Sequence, residues 1–347
     1  MAHGLLTIDL GAVVRNWRRL CEIHAGGAVA AVVKANAYGL GAAPIATALK
    51  EAGCRHFFVA TVEEGEALRD SLGEGPMIAV LDGFRARQHP RLTPVLNHLE
   101  DIRAHSGPVI LHVDSGMSRL GLAMDELEVL ARDPSLLEAI EPLYVMTHLA
   151  AAEEPEHPLN AAQLARFNEA CLGLPRARRS IANSSGIFLG PRYASDLARP
   201  GAALYGINPT PGRPNPMEPV LRLEGQVLQL RDIPAGQTVG YGGSWMTTRP
   251  SRIATIGLGY ADGLPRRLEG QLTGDFRGQK LPLVGRVSMD LMTFDATGLQ
   301  RIRPGRWIEL IGPGTRDVDG MAALCGTIGY EVLTSLGTRF RREYLPA

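Results

Sequence analysis

The chain has 347 residues, and its 36 lysines and arginines are balanced by 36 aspartates and glutamates. A single hydrophobic core seldom extends through so long a chain, so two domains are expected. The zero net charge argues against nucleic acid or an anionic membrane as the main partner and favours a small-molecule substrate.

From the N-terminus to about residue 205, apolar runs alternate with helical patterns. Asp9 is predicted to cap a first helix whose apolar face contains Leu10, Val13, Val14, Trp17 and Leu20. Amphipathic spacing predicts further helices at 63–72, 125–131 and 160–172. Eight apolar runs are typical of strands: 28–33, 56–60, 77–81, 94–96, 109–114, 142–148, 180–183 and 202–205. The pattern predicts an α/β fold, a parallel (β/α)8 TIM-like barrel with its active site at the strands' carboxyl ends.

A proline-rich stretch at 208–219 interrupts this pattern, because proline is excluded from helix interiors and central strands. Beyond it the helical period vanishes, and strand-like segments follow at 220–230, 252–258, 280–284, 291–295 and 306–311. We therefore predict a barrel over residues 10–215 and a mostly β domain over residues 216–347. Residues 1–9 are assigned to the β domain, because segment 5–8 can pair with its strands.

The four cysteines are scattered, with no Cys-x-x-Cys pair and no histidines at the spacing of zinc ligands. We expect reduced thiols and no metal site. The first residues lack a secretory pattern, and no stretch approaches 18 consecutive apolar residues, so a soluble, cytoplasmic protein without membrane contact is expected. The cysteines are Cys21, Cys54, Cys171 and Cys325.

Lys34 ends the apolar run 28–33 and precedes a turn that contains Asn36, Tyr38 and two glycines. A lysine among apolar neighbours loses hydration, so its pKa falls and its amine can attack carbonyl groups. The ordinary alternative is a lysine whose ammonium group extends from the strand end into water. The polar partners and the tight backbone beside the amine favour the reactive role.

Seven short blocks, distributed over both predicted domains, share a pattern with one known enzyme family. They are VVKANAYGLG at 32–41, HVDSGMSRLG at 112–121, THLA at 147–150, NSSG at 183–186, RPGAALYG at 199–206, VGYGGSW at 239–245, and IGLGYADG at 256–263 with GRVSMD at 285–290. In this order they resemble the motifs of the alanine racemases, which use pyridoxal 5′-phosphate. The resemblance implies an enzyme that interconverts L- and D-alanine and supplies D-alanine for peptidoglycan.

The resemblance also implies roles for individual residues. Lys34 binds the cofactor covalently and serves as one base, while Tyr241 serves as the second base from the other subunit of a homodimer with shared active sites. Racemisation removes a proton from one face of a planar carbon and delivers another to the opposite face, which two bases can achieve. The implied cofactor contacts are Lys34, Tyr38, His148, Asn183, Ser184, Arg199, Gly201, Ala202 and Tyr330. The implied substrate contacts are Arg119, Met289, Tyr260 and Asp290.

Among the cofactor contacts, Arg199 matches the arginine at the pyridine nitrogen. A guanidinium does not readily yield a proton, so it keeps that nitrogen unprotonated and favours racemisation over side reactions. By the same resemblance, His148 stacks on the pyridine ring. The phosphate contacts are Tyr38, Ser184, the backbone amides of Gly201 and Ala202, and Tyr330.

Two departures from the family pattern are visible. Many members carry, at the position of His112, a lysine whose carbamate aligns the active-site arginine. An imidazole cannot form that group, so Arg119 must be oriented by His112 itself, by an anion or by water, and no lysine carbamate is predicted. The segment 337–344 only loosely resembles the family's Arg-Val-Pro-Arg ending.

The residues themselves, without the family resemblance, are also compatible with other functions. A decarboxylase or aldolase could share the barrel and its lysine without the second base, and a non-catalytic pyridoxal phosphate carrier could use the barrel alone. The Tyr241 block argues against the first alternative, and the β domain argues against the second. Serine or a broader substrate range stays open, because the sequence does not show the size of the substrate pocket and one methylene contributes only about 1–3 kcal/mol of discrimination.

Overall fold

The computed structural model describes residues 2–84 and 89–347. The chain divides into two compact units, Val13–Glu218 and Met1–Ala12 together with Pro219–Ala347. It begins with strand β1 (Gly4–Asp9) and helix α1 (Leu10–His24). The predicted cap is confirmed, because Asp9 Oδ1 accepts a hydrogen bond from the Ala12 N–H at 2.8 Å.

A ring of parallel strands forms the unit Val13–Glu218. The ring begins with an interrupted strand, β2 (Ala28–Val29) and β3 (Ala31–Val32). The following strands are β4 (His56–Val59), β5 (Met77–Val80), β6 (Thr93–Leu96), β7 (Gly107–His112), β8 (Ile140–Met146), β9 (Arg178–Ser180) and β10 (Leu197–Ala198). Strands β3 to β9 pair in chain order, and β10 pairs in parallel with β2. Between β9 and β10, the Ser180 hydroxyl donates to the Leu197 carbonyl at 2.7 Å.

Helical segments connect these strands, which confirms the predicted (β/α)8 TIM-like barrel. The segments are α2 (Lys34–Tyr38), α3 (Ala42–Glu51), α4 (Val62–Leu72), α5 (Leu99–Ala104), α6 (Met124–Arg132) and α7 (Pro158–Ala170). Most of the strands are apolar on both faces, as in β4, where Phe57 and Phe58 are both fully buried, whereas β9 carries the exposed Arg178 and Arg179. Such burial is expected of a parallel sheet, because both of its faces are covered by other parts of the protein.

The predicted eighth strand, 202–205, is wrong. Residues Ala202–Tyr205 form a 3-10 helix, and the eighth strand is β10 at Leu197–Ala198. The segment is apolar because it is buried, and its Tyr205 hydroxyl donates to the Val32 carbonyl at 2.8 Å. A short buried run has the same composition in a strand or a helix, so periodicity alone could not separate the two.

The second unit is mostly β-structure. Its further strands are β11 (Leu221–Ile233), β12 (Thr238–Val239), β13 (Trp245–Met246), β14 (Ser251–Ile256), β15 (Thr273–Phe276), β16 (Gln279–Pro282), β17 (Met292–Asp295), β18 (Trp307–Ile311) and β19 (Arg341–Leu345). Strand β11 pairs antiparallel with β1, β14 and β18. Strand β1 also pairs in parallel with β19. The prediction that segment 5–8 pairs with strands of the β domain is therefore confirmed.

The predicted mostly β domain is confirmed, and it also contains helices that the sequence pattern did not indicate. Two short helices, α8 (Val318–Cys325) and α9 (Gly329–Ser335), follow β18. Their eight and seven residues are too short for a clear amphipathic period. Asp317 could have indicated the start of α8, because aspartate is a common N-cap residue. Its side chain caps the helix by accepting the Gly320 N–H at 2.8 Å.

All four cysteines are free thiols. Across residues 2–84 and 89–347, no helix is long and apolar enough to cross a membrane. Within the same ranges, no group of three or more histidine, cysteine or acidic side chains is arranged to hold a metal ion.

Candidate active site

Lys34 lies directly beyond β3, at the carboxyl edge of the barrel, and a left-handed turn follows it. Ala35, Asn36, Ala37 and Tyr38 all have φ between 52° and 55°. Left-handed backbone costs a non-glycine residue about 1–2 kcal/mol, because Cβ crowds the next carbonyl oxygen. Such strain persists only where neighbouring contacts impose it, and it is commonly found at functional sites.

Glu64, near the start of α4, is one of these contacts. Its Oε1 accepts the Ala35 N–H at 2.7 Å, and its Oε2 accepts the Ala60 N–H at 2.8 Å. The Asn36 side chain closes the other end of the turn by accepting the Ala42 N–H at 2.8 Å. The backbone beside the lysine is therefore held from both ends.

The surroundings of Lys34 favour its uncharged amine. Burial lowers the pKa of Lys34, and the Arg119 guanidinium lowers it further. Asp82 and Glu64 oppose this shift without reversing it. A depressed lysine pKa is the property required of an amine that forms an imine or takes up a proton.

Tyr38, Ser184 and Gly201 converge on one small region of the barrel. The Ser184 hydroxyl oxygen accepts the N–H groups of Gly201 and Ala203 at 3.1 and 3.2 Å. A Cβ at position 201 would overlap the Tyr38 hydroxyl, so only glycine allows this approach. Burial raises the pKa of Tyr38 to about 12, so its hydroxyl keeps its proton. Hydroxyl and backbone donors grouped in this way suit a phosphate.

Arg199 follows β10 and is buried. Its Nη1 donates to the Ser180 hydroxyl and its Nη2 to the Thr147 carbonyl, both at 2.5 Å. Among the described residues it has no carboxylate partner, and burial lowers its pKa to about 10. The Pro200 carbonyl accepts the Val32 N–H at 3.0 Å, which places this segment beside the strand that leads to Lys34.

His112 is buried at the end of β7, and its protonation can be deduced from Asn97. The Asn97 amide group donates to the carbonyls of Leu81 and Val95, so the amide oxygen faces His112 Nδ1 at 2.8 Å. Because that oxygen can only accept, Nδ1 carries the proton and Nε2 is an acceptor. Burial, and next the Arg199 guanidinium, lower the pKa of His112 to about 3. The imidazole is therefore neutral.

His148 follows β8 at the same edge of the barrel. Burial lowers the pKa of His148, and the positive charges of Arg199 and Arg119 lower it further. These effects favour a neutral imidazole.

The remaining predicted barrel residues lie on loops. Arg119 is exposed on a loop shaped by Asp114, whose Oδ1 accepts the N–H groups of residues 116, 117 and 118 at 2.9 to 3.1 Å. Asn183 donates to the Leu149 carbonyl at 3.2 Å and accepts the Gly186 N–H at 2.9 Å, so both ends of its amide hold the backbone.

The β unit carries the other predicted residues on adjoining loops. Tyr241 and Tyr260 begin short 3-10 helices, and Met289 lies in the loop before β17. The Tyr260 N–H donates to the Ser288 carbonyl at 3.0 Å. The side chains are unusually exposed for large apolar residues, at 68% for Tyr241, 54% for Met289 and 41% for Tyr260. Tyr330 lies in the first turn of α9.

Sequence reasoning missed Asn97, Glu64, Thr147 and Ser180 as supports of the site. Asn97 directly follows β6, and a polar residue at the carboxyl end of a barrel strand is a signal that could have identified it. Glu64 lies three residues after Thr61, and this spacing predicts the start of a helix but not a contact with the turn after Lys34. Its bonds to two strand ends depend on the tertiary structure.

Comparisons with known proteins identify the family of the chain. The family model described as alanine racemase, N-terminal domain, matches residues 8–209, and that of the C-terminal domain matches residues 220–344. The chain belongs to the alanine racemase family. The resemblance inferred from the motifs is thereby confirmed, and the chain is a member of a pyridoxal phosphate-dependent racemase family.

Individual relatives are similar along nearly the whole chain. An alanine racemase from Acidiphilium cryptum is 54% identical over 99% of both chains. A catabolic alanine racemase from Mesorhizobium japonicum is 50% identical over 99% of this chain and 94% of its own. The crystal structure of an alanine racemase from Bartonella henselae, with covalently bound pyridoxal phosphate, superimposes with a TM-score of 0.91 at 44% identity, covering 99% of this chain and 100% of that one.

Proposed function

We propose that this protein interconverts L- and D-alanine with pyridoxal phosphate held at the carboxyl edge of the barrel. The observation that carries the proposal is the combination, in one barrel, of an amine with a lowered pKa, a donor cluster for a phosphate and a buried guanidinium. Lys34 supplies the amine, and Tyr38, Ser184 and Gly201 supply the donors. The residues present therefore fit the cofactor that the family uses.

In this proposal each group has a defined task. When bound, the cofactor withdraws electrons from Cα of the amino acid through its conjugated ring. Lys34 Nζ, whose pKa is lowered by burial, takes up or returns the proton on one face. With the cofactor bound, the Arg199 guanidinium would lie at the ring nitrogen and keep its proton, and the His148 imidazole would pack against the ring. Asn183, Ala202 and Tyr330 complete the proposed cofactor contacts.

We assign the proton on the opposite face to Tyr241 of a second copy of the chain. Support comes from the exposure of Tyr241, Met289 and Tyr260, since large apolar side chains exposed together commonly mark an interaction surface. In the resulting homodimer each active site combines the barrel of one subunit with the β-domain loops of the other. Arg119, Tyr260, Met289 and Asp290 then face the amino-acid substrate.

Isotope exchange tests the reaction. The protein with cofactor is incubated with L-alanine in deuterated water, and enantiomeric excess and α-deuteration are followed together. Racemisation with uptake of deuterium is expected. Release of carbon dioxide or an aldehyde would instead identify a decarboxylase or aldolase, and a yellow protein without reaction would identify a carrier. L-serine in the same assay measures substrate range.

Tyr241→Phe tests the two-base assignment. Proton transfer on one face should fall sharply while cofactor binding is kept, because the phenyl ring retains the packing of tyrosine without its hydroxyl group. Normal reaction of both enantiomers in this variant would refute the second base.

Subunit mixing tests the shared sites. Lys34→Ala and Tyr241→Phe are each expected to inactivate the homodimer. After random exchange, about half of the dimers are hybrids with one intact site, so about a quarter of the wild-type activity should return. No recovery, despite exchange shown by mass, would place both bases in one chain.

We further propose that the product serves peptidoglycan synthesis, which is supported by high identity to a relative named simply alanine racemase. The relative named catabolic provides the competing role. Deletion of the gene should create a requirement for D-alanine. Growth that fails only on alanine as carbon source would favour the catabolic role.

A further inference from the structure

One arginine near the C-terminus joins the two loops that carry the proposed substrate contacts. Arg339 Nε donates to Asp262 Oδ1 at 2.8 Å, and its Nη1 donates to Asp290 Oδ1 at 2.7 Å. Asp262 ends the 3-10 helix that begins with Tyr260, and Asp290 directly follows Met289. A single planar guanidinium thus spans both loops.

The two carboxylates differ in how firmly they are held. The side chain of Asp262 is 4% exposed, and its second oxygen accepts the Gly259 N–H at 2.9 Å. The side chain of Asp290 is 57% exposed, and among the described residues Arg339 is its one ion-pair partner. Asp262 is therefore the fixed end of the bridge, and Asp290 is the end that the bridge positions.

Backbone contacts join the inner part of the two loops, and the Ser288 N–H closes the turn around Asp290 by donating to the Leu291 carbonyl at 3.0 Å. The N–H groups of Tyr260 and Ala261 donate to the carbonyls of Ser288 and Met289, both at 3.0 Å. A Cβ at position 259 would overlap the same two carbonyl oxygens, so glycine is required there. The Asp290 carboxylate lies beyond these contacts and depends on Arg339 for its orientation.

We infer that Arg339 is a positioning residue that orients Asp290 and the Met289–Asp290 turn toward the substrate. This inference rests on the proposed function, which gives that turn its substrate-side role. The orientation of this turn acts on substrate binding, so KM should respond more than kcat.

Replacing Arg339 with lysine separates the effect of the positive charge from that of the bridge between two carboxylates. It keeps the positive charge that Asp262 needs, but an ammonium group lacks the planar fork that reaches two carboxylates at once. Folding should therefore be kept while the bridge is lost. Arg341→Lys is the matched control, because Arg341 lies two residues further along and its one ion-pair partner within residues 2–84 and 89–347 is the exposed Glu343, at 2.7 Å.

The experiment compares the wild-type holoenzyme with Arg339→Lys, Asp290→Asn, the double variant and Arg341→Lys. For Arg339→Lys we expect KM for both alanine enantiomers to rise about five- to tenfold, since a charged hydrogen bond is lost. We expect kcat, cofactor affinity and Tm to stay near the wild-type values. Asp290→Asn should have a similar effect, and the double variant should be no worse than either single variant, because both changes break one bridge. Arg341→Lys should match the wild type.

A readout independent of turnover accompanies the kinetics. Binding of propionate, which is alanine without its amine, is measured by calorimetry and should weaken by the same factor as KM rises. An unchanged KM, effects that multiply in the double variant, or a KM change seen only together with a lower Tm would each overturn the inference. A wild type that fails to racemise alanine would overturn the proposed function, and this inference with it, whereas an active wild type with a normal Arg339→Lys overturns this inference alone.

Discussion

Replacing Ala35 with glycine should stabilise the protein, although the same change destabilises an ordinary helix. Ala35 has φ 52° and ψ 46°, and its side chain is exposed. Glycine removes the left-handed penalty of about 1–2 kcal/mol and costs about 0.5–1 kcal/mol through the greater freedom of the unfolded chain. The difference is a gain of roughly 0–1.5 kcal/mol, centred near 0.75 kcal/mol. No packing is lost, and the hydrogen bond from the residue 35 N–H to Glu64 is kept.

Thermal and urea unfolding of the cofactor-free protein measure this change. In a domain of 150–250 residues, about 1 kcal/mol shifts Tm by roughly 2–4 °C, so an increase near the lower end of that range is expected. Ala165→Gly is the matched control, because Ala165 is exposed in the interior of α7, a right-handed helix. It should lose about 0.5–1 kcal/mol.

The opposite signs of these two variants identify the left-handed turn. If Ala35→Gly destabilised the protein as much as Ala165→Gly does, position 35 could not be strained in the native state. The argument from backbone sterics would then be refuted.

Three further predictions concern the barrel site. The pKa of His112 in the folded protein, about 3, lies below its ordinary value of 6.5. As the pH falls below 6.5, the unfolded chain therefore takes up the His112 proton before the folded protein does, and the folded state loses stability. Between pH 7 and pH 5 the free energy of unfolding, measured in urea, should fall by about 2 kcal/mol more for the wild type than for His112→Gln. Equal losses would exclude a buried neutral imidazole. Ser184→Ala should weaken pyridoxal phosphate binding about tenfold in titrations of cofactor-free protein, because one hydroxyl donor is removed. Intact mass and electron density should show no carbamate on any lysine, and finding one would contradict the alignment of Arg119 without that group.

The sequence predicted much of the fold because burial leaves a local pattern. Parallel strands covered on both faces are apolar throughout, so the strands from β2 to β8 could be located from their composition, whereas the predicted run 180–183 overlaps β9 only at Ser180. The prolines at 208–219 marked the break between barrel and β domain for the same local reason. The motif blocks identified the family, and the position of Lys34 at a strand end follows directly from the order of residues.

The tertiary structure decided the features that depend on distant neighbours. Residues 202–205 form a 3-10 helix instead of a strand, and the turn after Lys34 is left-handed even though none of residues 35–38 is glycine. The tautomer of His112 depends on Asn97, and the alignment of Asp290 on Arg339, far apart in sequence in both cases. Composition and periodicity describe only neighbours along the chain, whereas strain, tautomers and ion pairs are set by groups that folding brings together.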